Sequence, residues 1–541
     1  MIVLGIHGGV TLGQHEPSAA LMINGRMVAA CEEERYLRIK SAYGYLPNYS
    51  IKACLDIAGI TMDEVDLVVA PGITYDDFEM RLRSHLLHNF GHAPKIMRIH
   101  HQHSHLYAAF YGSGMDDALL VSLDASGDGM CSMFGYGSRR DGIEVLGEVP
   151  TANSLGYFYT LMTYYLGFSD GDEYKVMGLA PYGKPTHDLT EILQPAEEGV
   201  WQFDWSFVRN DPPPRSPFEP LYAQKIADVL KAPPRVPSQE MLQFYKDVAR
   251  STQDLTEEAL LGYLRHVKAK RPEARNLCYA GGVALNCKAN MKIRKSGMFD
   301  NIYVPPVASD RGLAIGCAYA GAVELGDDPW PLNDAYLGSS YSDEAIRKEL
   351  ESNGVPYREV DDPAEAAAEL IADGKIIGWH QGRAEIGARA LGNRSILASC
   401  SDPDMKDKVN ARIKYREEFR PFAPSAAQDA AHEYFDTDGE DMPYMCITVD
   451  VHENKQDNIP AVVHADGTAR LQTVRSSQNE AYYRLIKRYG DMTGTPVIMN
   501  TSFNLKGQPI VETPRDALMT FFGCGLDNLV VGNCVVSKSY A

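Results

Sequence analysis

Two stretches of the chain share one order of elements. From residue 2, the strand "IVLGI" leads through the polar loop "HGGVTLGQHEPS" to the strand "AALMI", the turn "NGR" and the strand "MVAACEEE". From Ala118, "ALLVSLD", the Gly loop "ASGDG", "MCSMFGYG", the turn "SRRDG" and "IEVLGEV" repeat that order. Asn24-Gly25 between apolar runs marks a hairpin. A strand, loop and hairpin unit that occurs twice predicts an internally duplicated α/β domain.

At 541 residues the chain exceeds one ordinary core, so further domains are required. "GDDPWPLND" interrupts the pattern near residue 330, and beyond it helices ("DEAIRKELESNG", "PAEAAAELIADG") and a strand ("KIIGWHQ") resume. The domains are therefore expected to be 1–340 and 341–541. A Pro-rich surface excursion is expected between Asp211 and Ser238, followed by an amphipathic helix from Gln239 to Lys268.

The net charge of −20 disfavours a broad nucleic-acid surface. No apolar run has the length of a membrane span and the first residues lack a signal pattern, so the expected location is the cytoplasm. Ten scattered cysteines contain no CxxC pair, which predicts reduced, mostly buried thiols.

Four histidines (His100, His101, His103 and His105) fall within six residues. On a helix, His101 and His105 share a face and His103 points away from it. Asp124 closes "VSLD", and Asp310 of "VASDRG" stands in the corresponding strand-to-helix loop of a later unit. Two imidazoles and two carboxylates suit iron, manganese or zinc; the alternative for Asp310 is a helix N-cap. Gly127 and Gly129, and separately Gly281 and Gly282, allow backbone N–H groups to approach an anion. Together with the metal set, these loops point to ATP.

Between Lys375 and Arg420 lie ten basic and six acidic residues, a local net of +4. "GARALGNRSI" and "IKYREEFRPFAP" interleave these charges with apolar residues, which implies partial burial. A partly buried guanidinium needs an anion, and phosphate matches its fork. A small phosphorylated substrate fits this short patch better than a polyanion.

The chain resembles the NodU/CmcH-type O-carbamoyltransferases over nearly its whole length. The first module carries "HEPSAAL", "EEERYLRIK", the His101/His105 pair, "SLDASGDG", "EYKVMGLAPYG" and "AGGVALN". The second carries "GRAEIGARALGNRSI", "NARIKYREEFRPFAPS", "HADGTARLQTV" and "PVIMNTSFNLKGQPIVETP". The resemblance implies a TsaD-like N-terminal domain of the duplicated actin-like (ASKHA) ATPase class and a YrdC-like α/β domain after it. It implies that carbamoyl phosphate and ATP give a carbamoyl-adenylate, from which the carbamoyl group passes to a hydroxyl of a small natural-product or sugar acceptor.

By motif, the resemblance places Arg389, Lys414, Arg420, Arg470 and Asn500 around carbamoyl phosphate. It makes His101, His105, Asp124 and Asp310 ligands of Fe(II), and brings ATP with Mg to Gly127, Asp128, Gly281, Gly282 and Asn286. His15 and Lys40 fall at the transfer step, with His15 either a base for the acceptor hydroxyl or a contact to ATP phosphate. Two positions depart from the family pattern: Glu16 follows His15, and Asp128 stands where Glu is common. A tRNA threonylcarbamoyl transferase would favour a basic surface. A hydrogenase-maturation carbamoyltransferase would carry CxxC zinc fingers and the opposite domain order. A non-catalytic actin-like ATP sensor would not need the second module's basic residues.

Overall fold

The computed structural model describes residues 1–9, 14–196, 199–208, 222 and 224–538. The chain forms two compact units. The first comprises Met1–Pro71, Tyr75–Ile99 and Asp310–Ala541; the second comprises Gly72–Thr74 and His100–Ser309. Residues 211–221 and 223 of the expected Pro-rich excursion lie outside the described residues, and its later part contains the helix Lys225–Leu230. The amphipathic helix that follows spans Gln243–Lys270.

The first unit opens with a five-stranded sheet made of β1 (Ile2–His7), β2 (Ser18–Ile23), β3 (Arg26–Glu32), β4 (Leu67–Pro71) and β5 (Lys95–Ile99), in the order β3-β2-β1-β4-β5. Strands β1 to β3 are antiparallel, and β4 and β5 continue parallel to β1. The β2–β3 turn is the predicted two-residue hairpin: Ile23 faces Arg26, and Asn24 and Gly25 both take positive φ (49° and 74°). Leu4, Ile6, Leu21 and Val68 build the core beneath the helix Asn48–Ala58.

The second unit repeats this topology. Its strands β6 (Asp117–Gly127), β7 (Met130–Ser138), β8 (Gly142–Pro150), β9 (Asn276–Ala280) and β10 (Asn301–Tyr303) run in the order β10-β9-β6-β7-β8. Again three antiparallel strands are followed by two parallel ones. The predicted duplication is therefore present at the level of strand order and direction.

The C-terminal part of the first unit is a mixed eight-stranded sheet. Its strands are β11 (Arg358–Glu359), β12 (Ile377–His380), β13 (Arg394–Ser399), β14 (Ala423–Ala427), β15 (Gln472–Val474), β16 (Val497–Ser502), β17 (Asn528–Val531) and β18 (Cys534–Ser537), ordered β11-β18-β17-β12-β13-β16-β14-β15. Alternate residues face opposite sides. Trp379, Leu397 and Ile498 pack with the helices Pro363–Ala372 and Glu480–Thr493, whereas Ile396, Ala398 and Met499 join a core with Leu518 and Phe521 of the helix Pro514–Phe522.

Residues 326–334, expected as a linker, carry no helix or strand after Gly326, yet they run inside the first unit. There the N-terminal sheet and the C-terminal part are stitched together. Ala30 N–H donates to Leu337 O (3.1 Å), Arg383 Nη2 to Val28 O (2.8 Å) and Arg38 Nη1 to Ile510 O (2.6 Å). None of the ten cysteines forms a disulfide; nine are buried and Cys446 is half-buried.

Candidate active site

The histidine cluster of the second unit folds as its spacing predicts. His100 N-caps the helix His101–Ser113 with its own side chain, which accepts from Gln102 N–H (3.1 Å). One turn apart, His101 and His105 both face Asp124: their Nε2 atoms lie 3.3 and 3.1 Å from the same Oδ2. The imidazole rings meet edge to face at 5.0 Å. All three side chains are buried, so two imidazoles and a carboxylate converge out of bulk water. This His₂Asp donor set fits a borderline divalent ion such as iron, manganese or zinc.

Asp124 was expected at the end of its strand. Strand β6 runs on to Gly127, but regular pairing with β7 stops after Leu123 and resumes at Gly127. Asp124 thus sits where the ladder breaks, and its Oδ1 accepts from the Ala125 N–H (2.8 Å). Two glycines make room for the cluster. A Cβ on Gly127 would come within 2.2 Å of the His101 ring, and one on Gly282 within 2.9 Å of Asp124 Oδ1.

The remaining nucleotide candidates of this unit are engaged in local structure. Asp128, at φ 51°, accepts from His101 N–H (2.8 Å), from Thr74 N–H and Ile73 N–H (both 3.2 Å) and from Thr74 Oγ1 (2.7 Å). Burial alone would raise its carboxyl; the hydrogen bonds from Thr74, His101 and Ile73 outweigh that and hold it below the usual carboxylate range. Asp128 is therefore the clamp that fixes the start of the histidine helix. Gly281 N–H donates to Ala308 O (2.7 Å). Asn286 N-caps the helix Cys287–Lys295 through Ala289 N–H (3.1 Å) and exchanges two 3.0 Å hydrogen bonds with Gln253.

In the first unit, His15 stacks at a tilt against Tyr43, ring centroids 5.4 Å apart, and its carbonyl accepts from His7 Nε2–H (3.0 Å). Lys40 is exposed in a turn after the helix Glu33–Leu37. Asp310 opens a short 3₁₀ turn ahead of the helix Leu313–Glu324, and its Oδ2 lies 3.9 Å from His7 Nε2.

The C-terminal sheet gathers the second set of predicted residues. Lys414 ends a π-turn, Asn410–Lys414, closed by Tyr415 N–H to Asn410 O at 2.7 Å. Its buried ammonium donates to Ser502 O, Ser502 Oγ (3.3 Å), Asn504 O (3.1 Å) and Asn504 Oδ1 (2.8 Å). Burial, with Arg416 and Arg420 nearby, pushes the Lys414 ammonium well below its ordinary value. Three cationic side chains, Lys414, Arg416 and Arg420, thus lie near one another. Arg420 is 3.6 Å from Glu417 and Arg470 is half-buried on the loop before β15.

Asn500, on β16 between β13 and β14, donates to Ala390 O and Ser425 Oγ (both 3.1 Å) and to Gln472 Oε1 (3.2 Å). Among the described residues, its buried Oδ1 has no hydrogen-bond partner. Arg389, half-buried, belongs to a loop shaped by Glu385, a residue sequence reasoning passed over. Glu385 Oε1 accepts from the N–H groups of Leu391 (2.7 Å), Asn393 and Arg394 (both 3.2 Å). A lone Glu in a basic, glycine-rich motif is the signal that could have found it.

Comparison with known proteins shows the family of the chain. Residues 74–319 match the family model described as Carbamoyltransferase N-terminus, and residues 368–538 the one described as Carbamoyltransferase C-terminus. Over 100% of its length the chain is 36% identical to nodulation protein NolNO of Sinorhizobium fredii, covering 83% of that protein. The chain belongs to the carbamoyltransferase family.

This carbamoyltransferase is also 39% identical to nodulation protein NolO of Bradyrhizobium diazoefficiens, over 81% of the chain and 79% of that protein. Among solved structures, T. kodakarensis HypF is similar over 61% of the chain and 48% of its own, at 13% identity and a TM-score of 0.32. The reaction of the family to which this chain belongs is carbamoyl transfer. No helix among the described residues is long and apolar enough to cross a membrane.

Proposed function

We propose that this carbamoyltransferase works through a carbamoyl-adenylate. Carbamoyl phosphate binds in the C-terminal module, 341–541, and loses phosphate to water, leaving carbamate. A carbamate oxygen attacks the α-phosphorus of ATP, giving carbamoyl-adenylate and pyrophosphate. A hydroxyl of a small natural-product or sugar acceptor then attacks the carbamoyl carbon, AMP leaves, and the hydroxyl proton passes to His15. This division of labour assigns formation of the adenylate to a YrdC-like module and the transfer step to residues 1–340, as a TsaD-like module of the actin-like class.

The observation that carries the reading is the electrostatics around Lys414. A buried ammonium beside Arg416 and Arg420 is poised to gain an anion, and a phosphate dianion supplies it. The Asn500 Oδ1, an acceptor, is matched to the carbamoyl NH₂. The proposed metal set is His101, His105, Asp124 and Asp310. Fe(II) held there would neutralise charge on the leaving phosphate. Gly127, Gly281, Gly282 and Asn286 are the proposed frame for ATP with its Mg, Asp128 fixing the His101 end. Lys40 is proposed to orient the adenylate. Enclosure matters because carbamate decays in water.

The test is carbamoyl-phosphate-dependent release of AMP and pyrophosphate from ATP. Lys414→Met, Arg389→Ala, Arg420→Ala and Asn500→Ala should abolish it, and chemically made carbamoyl-adenylate should restore transfer to a screened acceptor hydroxyl. His15→Ala should retain AMP release and lose transfer. A Lys414→Met protein that stays dead with supplied adenylate would replace two stations by one composite site.

A further inference from the structure

The first unit contains a buried ionic knot that no proposed reaction step uses. Arg311 is 9% exposed and reaches three carboxylates: Nε to Glu16 Oε1 (2.8 Å), Nη2 to Glu34 Oε2 (3.4 Å) and Nη1 to Glu32 Oε2 (3.5 Å). Its own carbonyl is fixed by Ser18 Oγ–H at 2.9 Å.

Each partner is joined to a segment that carries a proposed functional residue. Glu16 follows His15, and its N–H donates to Ser41 O (2.8 Å). Glu34 Oε2 accepts from Ser41 N–H (2.7 Å), next to Lys40. Glu32 Oε1 accepts from Gly387 N–H, two residues before Arg389, while Arg35 Nη2 donates to both Glu32 Oε1 (3.2 Å) and Gly387 O (2.8 Å). Arg311 itself follows Asp310. Glu16, Arg38, Ser41 and Ala42 all adopt positive φ (59°, 59°, 61° and 38°). Non-glycine residues persist in that region only where surrounding contacts over-determine them.

We propose that Arg311 is a positioning residue whose single guanidinium sets the relative placement of the His15, Lys40 and Arg389 loops. Three donor directions of a rigid fork address three carboxylates on two chain segments, and those carboxylates hold the Ser41 and Gly387 backbones in turn, which a lysine's point charge does not reproduce. The assignment of function to those loops rests on the reading above. The geometric statement, that one guanidinium orders all three, stands apart from it.

The experiment separates the two. Amide hydrogen exchange is followed by mass spectrometry on the full chain, comparing wild type with Arg311→Lys and with Glu34→Gln, the milder variant that keeps shape and removes one charge. Exchange should rise together in peptides covering residues 14–18, 38–44 and 385–390, while β16 stays unchanged. A rise confined to residues 309–313 in both variants overturns the proposal. In parallel, carbamoyl-phosphate-dependent AMP release should fall by about 10- to 100-fold in kcat, with KM for carbamoyl phosphate within about threefold, as misplaced but intact groups require. Loss of activity that only tracks the folded fraction makes Arg311 a structural residue and refutes positioning. If Arg311→Lys does not fold, Glu34→Gln decides the matter. Wild-type protein that releases no AMP overturns the proposed function and leaves the exchange result to judge Arg311.

Discussion

Replacing Gly127 by alanine tests whether the histidine cluster is built for a metal. The added Cβ would lie 2.2 Å from His101 Cδ2 and Cγ and 2.6 Å from Nδ1. That is about 1.3 Å short of ordinary carbon contact at ~3.5 Å. His101 has little room to yield, because Asp128 holds its backbone N–H at 2.8 Å and Nε2 already faces Asp124. The ring must turn, carrying Nε2 away from the Asp124 carboxylate by on the order of 1 Å.

Overpacking of this kind costs about 1–3 kcal/mol of stability. Displacing one of the converging donors should weaken Fe(II) or Mn(II) binding by at least the ~10- to 100-fold that even supporting residues command. Anaerobic equilibrium dialysis with elemental analysis measures the affinity, and urea denaturation measures the stability. Gly129→Ala is the control, since its Cβ meets nothing within 4 Å and its φ of +84° costs backbone strain alone. Wild-type metal affinity in Gly127→Ala would refute the claim that the glycine exists to admit the His101 ring.

Asp124→Asn should lower Fe(II) or Mn(II) affinity by more than about 100-fold while the metal-free chain stays folded, because the carboxylate both imidazoles face is lost; unchanged affinity in dialysis would remove Asp124 from the donor set. Glu173 offers a pH signature: burial raises its carboxyl from 4.5 to about 7, with Thr160 Oγ1–H donating to it at 2.9 Å. Between those two values the folded state keeps a proton that the unfolded chain has released, so wild-type stability falls as pH rises and levels off above about 7. Glu173→Gln should therefore be more stable than wild type by about 3 kcal/mol at pH 8 and equal to it near pH 4, and a gain independent of pH in urea titrations would contradict the cause given.

The parts of this molecule that were legible in sequence are those decided locally. The His101/His105 spacing predicted a shared helical face, Asn24-Gly25 predicted the hairpin, and the repeated strand order appears as two sheets of one topology. What failed to show was set by distant partners. "EEE" at residues 32–34 reads as the polar end of a strand. It is instead buried, and the chain turns into the helix Glu33–Leu37, because Arg311 and Gly387, hundreds of residues away, supply charge and N–H donors. The hydrogen bonds that Asp128 accepts from Ile73 and Thr74 likewise cross a sequence gap no local pattern spans. The joining of residues 1–71 and 75–99 with 310–541 into one unit rests on such contacts throughout.

A common rule connects these buried and half-buried acids. Asp128 holds N–H groups at Ile73, Thr74 and His101; Glu385 holds those of Leu391, Asn393 and Arg394; Glu34 holds that of Ser41; Glu33 holds those of Tyr49 and Ser50 at 3.0 and 2.7 Å. A carboxylate accepting several backbone N–H groups is a strong, charge-assisted staple, and it fixes a loop without occupying the loop's own side chains. Each of the first three staples fixes backbone within a few residues of a side chain proposed to bind a ligand or of the Lys40 turn. These four acids, out of 72, thus act as internal staples within a chain that combines a net charge of −20 with a local excess of cations between Lys375 and Arg420. It follows that amide replacements at these acids, which keep one acceptor oxygen, should disturb function less than truncation to alanine, which leaves buried N–H donors with no partner.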